Sequence, residues 1–213
     1  MARRAGVALS AVKYYQREGL IPAGERSAPN QVDYGEPHVQ RVRLIRALLE
    51  TGGLSIAATR SVVAVLDAQD APIAEAFAVA QHALAVGRGG EAGPSESARD
   101  RIARLAAAKG WRVGDANPGL DAAARTLDGF GAIGFDAPDA YLDAYADAAA
   151  TAARADLDAL GTRADPDGVA ELMVVGTVLG DPLFAGLRRL AQEHATHDAF
   201  PVTPSPHPER TTP

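Results

Sequence analysis

The sequence predicts a mainly α-helical chain that opens with a helix-turn-helix, runs into a small hairpin, and continues as helices to near its end. Three observations carry this. Residues 6–22, GVALSAVKYYQREGLIP, place a turn at Gly6, a helix over 9–18, and a stop at Gly19 ahead of Pro22. Residues 23–34 collect turn formers, Gly24, Ser27, Pro29 and Asn30, as a short two-stranded wing would. Beyond residue 35 apolar side chains recur at three- and four-residue spacing, and no alternating run marks a strand.

The helix over 9–18 has two faces. Leu9, Val12 and Tyr15 share one, while Ser10, Lys13, Tyr14 and Arg17 fall at i, i+3, i+4 and i+7 on the other. The first suits packing; the second is either solvated or aimed at an anion. Residues 1–5 supply only the tail of an earlier helix, with Arg3 and Arg4 free for phosphates, so the chain is expected to begin mid-helix. Such a stub would leave Val12 and Tyr15 partly exposed, and an apolar-patterned extension ahead of Met1 would then raise stability.

Glu36-Pro37 fits the first turn of a third helix, where proline's missing N–H is tolerated and an acid favours the positive end of the dipole. Val39, Val42, Ile45 and Leu49 follow at helical spacing with Leu48 beside them, and Arg41, Arg43 and Arg46 spread around the exposed side. Those arginines either solubilise the helix or touch an anion. Thr51-Gly52-Gly53 stops it, and Ser55 caps a fourth helix carrying Ile56, Val62, Val63 and Leu66. A fifth helix over 72–86 sets Ile73, Phe77, Ala80 and Leu84 at spacings of four, three and four, a seam for another helix or an ordinary packing face. GRGGEAGPS, residues 87–95, has the composition of a linker.

Helices then follow over 95–109, 119–130, 138–160, 167–179 and 182–197. The stretch GVAELMVVGTVLG is apolar nearly all round and is expected at the buried centre, with Gly180-Asp181-Pro182 breaking it. From Asp198 the tail holds five prolines and is expected to be disordered.

Composition divides the chain. Residues 1–66 hold nine Lys and Arg against five Asp and Glu; the remainder holds twelve against twenty-two. A basic head on an acidic body suits a nucleic-acid-binding module joined to one that does not bind nucleic acid. There is no cysteine, which removes disulfides, thiolate metal sites and redox-sensing thiols. No apolar run of roughly 18 residues stands out and no signal-peptide core opens the chain, so a cytoplasmic location is expected.

Residues 2–66 resemble the DNA-binding domain of the MerR family of transcription regulators. The resemblance rests on Gly6-Val7, Lys13-Tyr14-Tyr15 and Gly19-Leu20-Ile21-Pro22, and continues through Tyr34, Arg43-Leu44-Ile45-Arg46 and Gly53-Leu54-Ser55. It implies a winged helix-turn-helix in which Ser10, Lys13, Tyr14 and Arg17 meet DNA, supported by Arg4, Arg26, Tyr34 and Arg43. In much of the family the wing ends in Gly-Tyr-Arg-x-Tyr; here Val32 stands at the arginine's place beside Asp33. It also implies a homodimer seamed by Ile73, Phe77, Ala80 and Leu84, bound to a pseudo-palindromic promoter site in double-stranded DNA, with RNA polymerase as the partner at the promoter. The expected organisation is a DNA-binding domain over 1–70, a dimerisation helix over 71–87, a flexible linker over 88–95, a helical effector-type domain over 96–197 and a disordered tail over 198–213.

No enzyme is expected. His194 and His197 lie one turn apart beside Glu193, but a zinc protease needs histidines four apart; Asp136, Asp139, Asp143 and Asp147 have no histidine or second carboxylate pair to work with. No metal and no cofactor is therefore expected. Trp111, Phe130, Phe135, Tyr141 and Tyr145 fall within thirty-five positions and either line a cavity or fill a core. With Trp111, Phe130, Tyr141 and Tyr145 around a cavity, the effector would be a small organic molecule. With a filled core, the alternative is a ligand-independent DNA-binding adaptor that docks another protein. Both activation and repression fit.

Overall fold

The structure is a computed structural model that describes residues 1–28, 31–68, 72–86, 93–163 and 165–200. Residues 88–92 of the expected linker and 201–213 of the expected tail lie outside them.

Helix α1, Ala2–Ala5, is a single turn closed by Gly6, and α2, Leu9–Arg17, follows it. Strands β1, Glu25–Ala28, and β2, Gln31–Asp33, pair antiparallel, with Glu25 opposite Asp33 and Arg26 opposite Val32. Then come α3, Glu36–Arg46, with Pro37 in its first turn, and a π-helical turn, Ala47–Thr51. In α4, Ile56–Asp67, the Ser55 hydroxyl accepts from the Ala58 amide, filling one of the donors a helix start leaves open.

A first core gathers Val12, Tyr15, Leu20, Ile21, Val39, Val42, Ile45 and Val63, with Met1, Ala2 and Val7 at its edge. Val12 and Tyr15 are therefore buried, contrary to the partial exposure that a short α1 suggests. Val39, Val42 and Ile45 of α3, Leu20, Ile21 and Val63 share this core with them, and each such side chain removed from water stabilises by roughly 1.5–3 kcal/mol.

A second core joins the two ends of the chain. Leu48, Leu54, Val62 and Val65 pack with Ala76, Ala80 and Ala83 of α5, Ile73–Val86, and with Val174 and Val178 of the last helix. The alanine side of α5 lets neighbouring helices approach closely. Gly52 serves the same end, because a Cβ there would collide with Val178.

The remaining helices are α6, Glu96–Ala108; α7, Pro118–Ala132; α8, Asp139–Leu160; and α9, Pro166–Ala199. Helix α9 continues straight through Pro182 where the sequence suggests a break. Its ring has no N–H for the Val178 carbonyl, a loss confined to one hydrogen bond in a 34-residue helix. The apolar stretch over 168–180 is less central than expected: Val174 and Val178 are fully buried, while its other apolar side chains are only half-buried.

Candidate nucleic-acid interface

Helix α2 presents Ser10, Lys13 and Arg17 fully to solvent and Tyr14 in part, with Val12 and Tyr15 turned inward. Its N-cap is Ala8, which has no side-chain acceptor, so the Leu9 and Ser10 amides remain available to water or to a phosphate oxygen, while the Ala11 amide donates to the Ala8 carbonyl at 3.1 Å. At the other end Gly19 takes φ +71, a left-handed conformation that glycine adopts without strain, and Leu20 N–H bonds back to the Tyr15 carbonyl at 2.9 Å.

The cations of this face differ in how they are engaged. Lys13 has no ion-pair or hydrogen-bond partner among the described residues. The Arg17 guanidinium sits 5.1 Å from the centroid of the Tyr14 ring, and its Nε is 3.9 Å from Glu18. Glu18 is already neutralised from the far side: Arg60 Nη2 donates to its carboxylate at 2.9 Å and Arg60 Nε to its carbonyl at 3.1 Å. Arg60 was not singled out in the sequence, since no local pattern announces an ion pair across forty residues.

Arg4 and Arg43 converge on one carboxylate. Arg4 pairs with Glu36, and Arg43 lies 3.7 Å from the same group while donating to the Arg4 carbonyl at 3.0 Å. All three side chains are about half exposed, so the pairs are worth roughly 0–1 kcal/mol and can yield to a phosphate. Arg46 is engaged more fully, with Glu50 at 2.7 Å holding its pKa up and the Gly6 carbonyl at 3.3 Å.

Tyr34 joins the wing to the helix. Its hydroxyl accepts from Gln16 Nε2 at 2.5 Å, and its ring meets His38 edge-on at 5.2 Å. Arg26 is described in backbone only, in β1 opposite Val32. Burial raises the pKa of Tyr15, with the nearby Glu50 charge adding to it, as suits a tyrosine on the packing side.

The residues singled out in the second half form two groups. Phe130, Phe135 and Tyr141 pack edge-on at 5.3–6.2 Å, and Tyr141 lies 4.6 Å from Tyr145, whose hydroxyl accepts from Arg188. Trp111 stands apart from these rings, 39% exposed. The acidic series is engaged in ion pairs: Asp136 and Asp139 hold Arg101, and Asp143 and Asp147 hold Lys109 at 3.2 and 2.7 Å, which ties α6 to α8. His194 and His197 are exposed, with His194 Nε2 3.6 Å from Asp198. No three or more metal-ligating side chains gather among the described residues.

On α5, Ile73 is exposed, Phe77 half-buried and Leu84 packed on the second core. Ala80 is a correction to the expected seam. It is fully buried within its own chain, so no partner copy can reach it.

A family profile described as MerR HTH family regulatory protein matches residues 1–65, the stretch that builds α1 to α4 and the wing. This is a MerR-family domain. The chain as a whole is similar to the crystal structure of the proposed transcriptional regulator SCO5550 from Streptomyces coelicolor A3(2), with 26% identity, 96% of this chain and 97% of that one covered, and a TM-score of 0.71. No curated protein matches it. The match and the neighbour together support a DNA-binding regulator, the matched family being one of transcription regulators. One helical stretch, Gly168–Ala199, has a mean hydropathy of 1.4 over an 18-residue window and is long and apolar enough to cross a membrane, which the sequence reading had overlooked. Val174 and Val178 within it belong to the second core.

Proposed function

We propose that this regulator binds a pseudo-palindromic promoter site as a dimer in the cytoplasm, α2 of each copy entering a major groove. Lys13 and Arg17 would reach phosphates or base edges, Tyr14 the sugar–phosphate backbone, and Ser10 would donate near the helix start. The single observation that carries this reading is the unpartnered Lys13 beside Arg17 and Tyr14 on one exposed face, inside the family-matched residues. Arg4 and Arg43 would exchange Glu36 for phosphate, and Tyr34 would act by holding the wing against α2 through Gln16. Arg26 would add a wing contact.

In this reading residues 1–70 are the reading unit, α5 joins the copies, and the helices beyond the 88–95 linker take a small organic effector. RNA polymerase meets the complex at the promoter, where distortion of the spacer by the bound dimer would set its access. Half-site centres should then lie at whole-turn separations of about 34–36 Å or multiples. Footprinting tests this, with Ile73→Asp as the control for the seam. If Ile73→Asp still sediments as a dimer and still protects two half-sites, the copies join elsewhere.

The exposed Leu183, Leu187 and Leu190 on α9 favour a second reading, in which the C-terminal helices dock a protein and no ligand is involved.

A further inference from the structure

Helices α5, α8 and α9 line an open cleft of about 590 Å³, within the range that holds a drug-sized molecule. Phe77, Leu157, Leu172 and Phe184 make its apolar walls. Its room comes from the absence of side chains at one spot: Gly176 lines the cleft, and a Cβ added there would meet nothing within 4 Å.

The charged groups on this lining are of one sign. Asp156 and Asp181 line the cleft, Asp181 being already engaged, and no lysine, arginine or histidine lines it among the described residues. The polar groups beside them are engaged within the chain: Thr177 donates to the Met173 carbonyl at 2.8 Å, and Gln81 accepts from Asn117 at 3.1 Å. Asp156 has no hydrogen-bond or ion-pair partner among the described residues, and its carboxylate lies 3.9 Å from where a Gly180 Cβ would stand. An apolar cleft edged by an unneutralised carboxylate favours an occupant with a hydrophobic body and a positive end, and disfavours anions.

We propose that this cleft, and not the Phe130–Tyr141–Tyr145 ring cluster, is the effector site, and that its ligand is a small organic cation with an aromatic or aliphatic body. The proposal rests on the reading above that the C-terminal helices take an effector. The position suits a regulatory role: Phe77 faces the cleft while Ala76 and Ala80 on the same helix pack in the core with Leu48 and Val62, so one helix separates ligand from DNA-binding domain.

The test uses the full chain and three probes of one shape, titrated by calorimetry: naphthylmethyl-trimethylammonium, the neutral analogue in which carbon replaces the quaternary nitrogen, and naphthylacetate. The cation should bind about two- to fivefold more tightly than the neutral probe, the scale of one exposed charge pair, and the anion more weakly than both. Asp156→Asn should bring the cation down to the neutral probe's affinity. Gly176→Leu should abolish binding of both while leaving the helix intact, because leucine favours a helix more than glycine does. Failure of all probes to bind at millimolar concentration, binding undiminished in Gly176→Leu, or equal affinity for cation and anion would each overturn the proposal. So would a wild-type dimer that Gly176→Leu dissociates, which would make the cleft a subunit contact. Operator affinity is measured separately: probes that bind in the expected order without changing it leave the site standing and remove its regulatory role.

Discussion

Lys13 and Lys109 carry the same charge on helices of the same protein, and their surroundings are opposite. Lys109 reaches from α6 to two carboxylates of α8, and those hydrogen bonds and charges raise its pKa. Lys13 stands exposed on α2 with no partner among the described residues. Arg101 repeats the first pattern, held by Asp139 and Asp136, whereas Arg17 comes closer to the second, over a tyrosine ring and 3.9 Å from an acid that Arg60 also holds. Net charge alone does not distinguish them. What marks the candidate DNA face is that Lys13 is left without a carboxylate and Arg17 has only a distant one, in a chain that elsewhere supplies them freely.

The strongest way to break this contrast is to remove the two cations of α2. Lys13→Ala with Arg17→Ala should weaken operator binding by about 1.5–3 kcal/mol for each charged hydrogen bond lost, about ten- to a hundredfold, with the fold intact. The salt dependence should fall by about one unit for each phosphate contact removed. Equal affinities for wild type and double variant at two salt concentrations would remove the assignment.

A smaller effect sharpens the contrast from the other side. Glu36→Gln frees Arg4 and Arg43 from their shared acid, and DNA affinity should rise by about two- to fivefold, the scale of an exposed ion pair. A fall in affinity, measured by fluorescence anisotropy, would mean that Glu36 positions these arginines instead of competing for them.

The smallest effects belong to the paired region, and pH reads them. Lys109 has its folded pKa raised above the unfolded value near 10.4, so its contribution is fully present below that value and is lost as pH rises through the folded pKa. Lys109→Met should flatten the alkaline arm of melting temperature against pH and leave DNA affinity unchanged. Asp128 runs the other way. Its carboxylate accepts from the Ser95 hydroxyl at 2.6 Å and the Ser95 amide at 2.7 Å, which lowers its pKa. That contribution is present above the unfolded value and is lost as pH falls through the folded pKa, so Asp128→Asn should flatten the acid arm. An unchanged arm in either variant would show that the pair adds nothing to stability.

The two halves also differ in how far the sequence reveals them. In the MerR domain the inward turn of Val12 and Tyr15, the glycine stop at Gly19 and the Ser55 cap are set within a few residues, and periodicity and cap chemistry report such features directly. The burial of Val12 and Tyr15 is not legible locally because the core they join includes Val39, Val42, Ile45 and Val63, more than twenty positions away. In α5 the 4-3-4 spacing draws attention to Ile73, Phe77 and Leu84, but the alanines Ala76, Ala80 and Ala83 make the tight contact, and small residues leave a weak hydrophobic signal. The cleft was invisible for the same reason: its room is made by Gly176, and α5, one of its walls, lies more than fifty positions before the other two helices. The aromatic cluster drew attention instead because large rings close together in sequence are easily seen.

The second core has a consequence for how the protein is made. Leu48, Leu54 and Val62 emerge early in synthesis, yet Val174 and Val178, which close over them, emerge more than a hundred residues later. At about 5–20 residues per second that interval lasts on the order of ten seconds. During it the nascent DNA-binding domain carries an uncovered apolar face at Gly52, the spot Val178 will occupy. A ribosome stalled before α9 would therefore display a domain that invites chaperone binding.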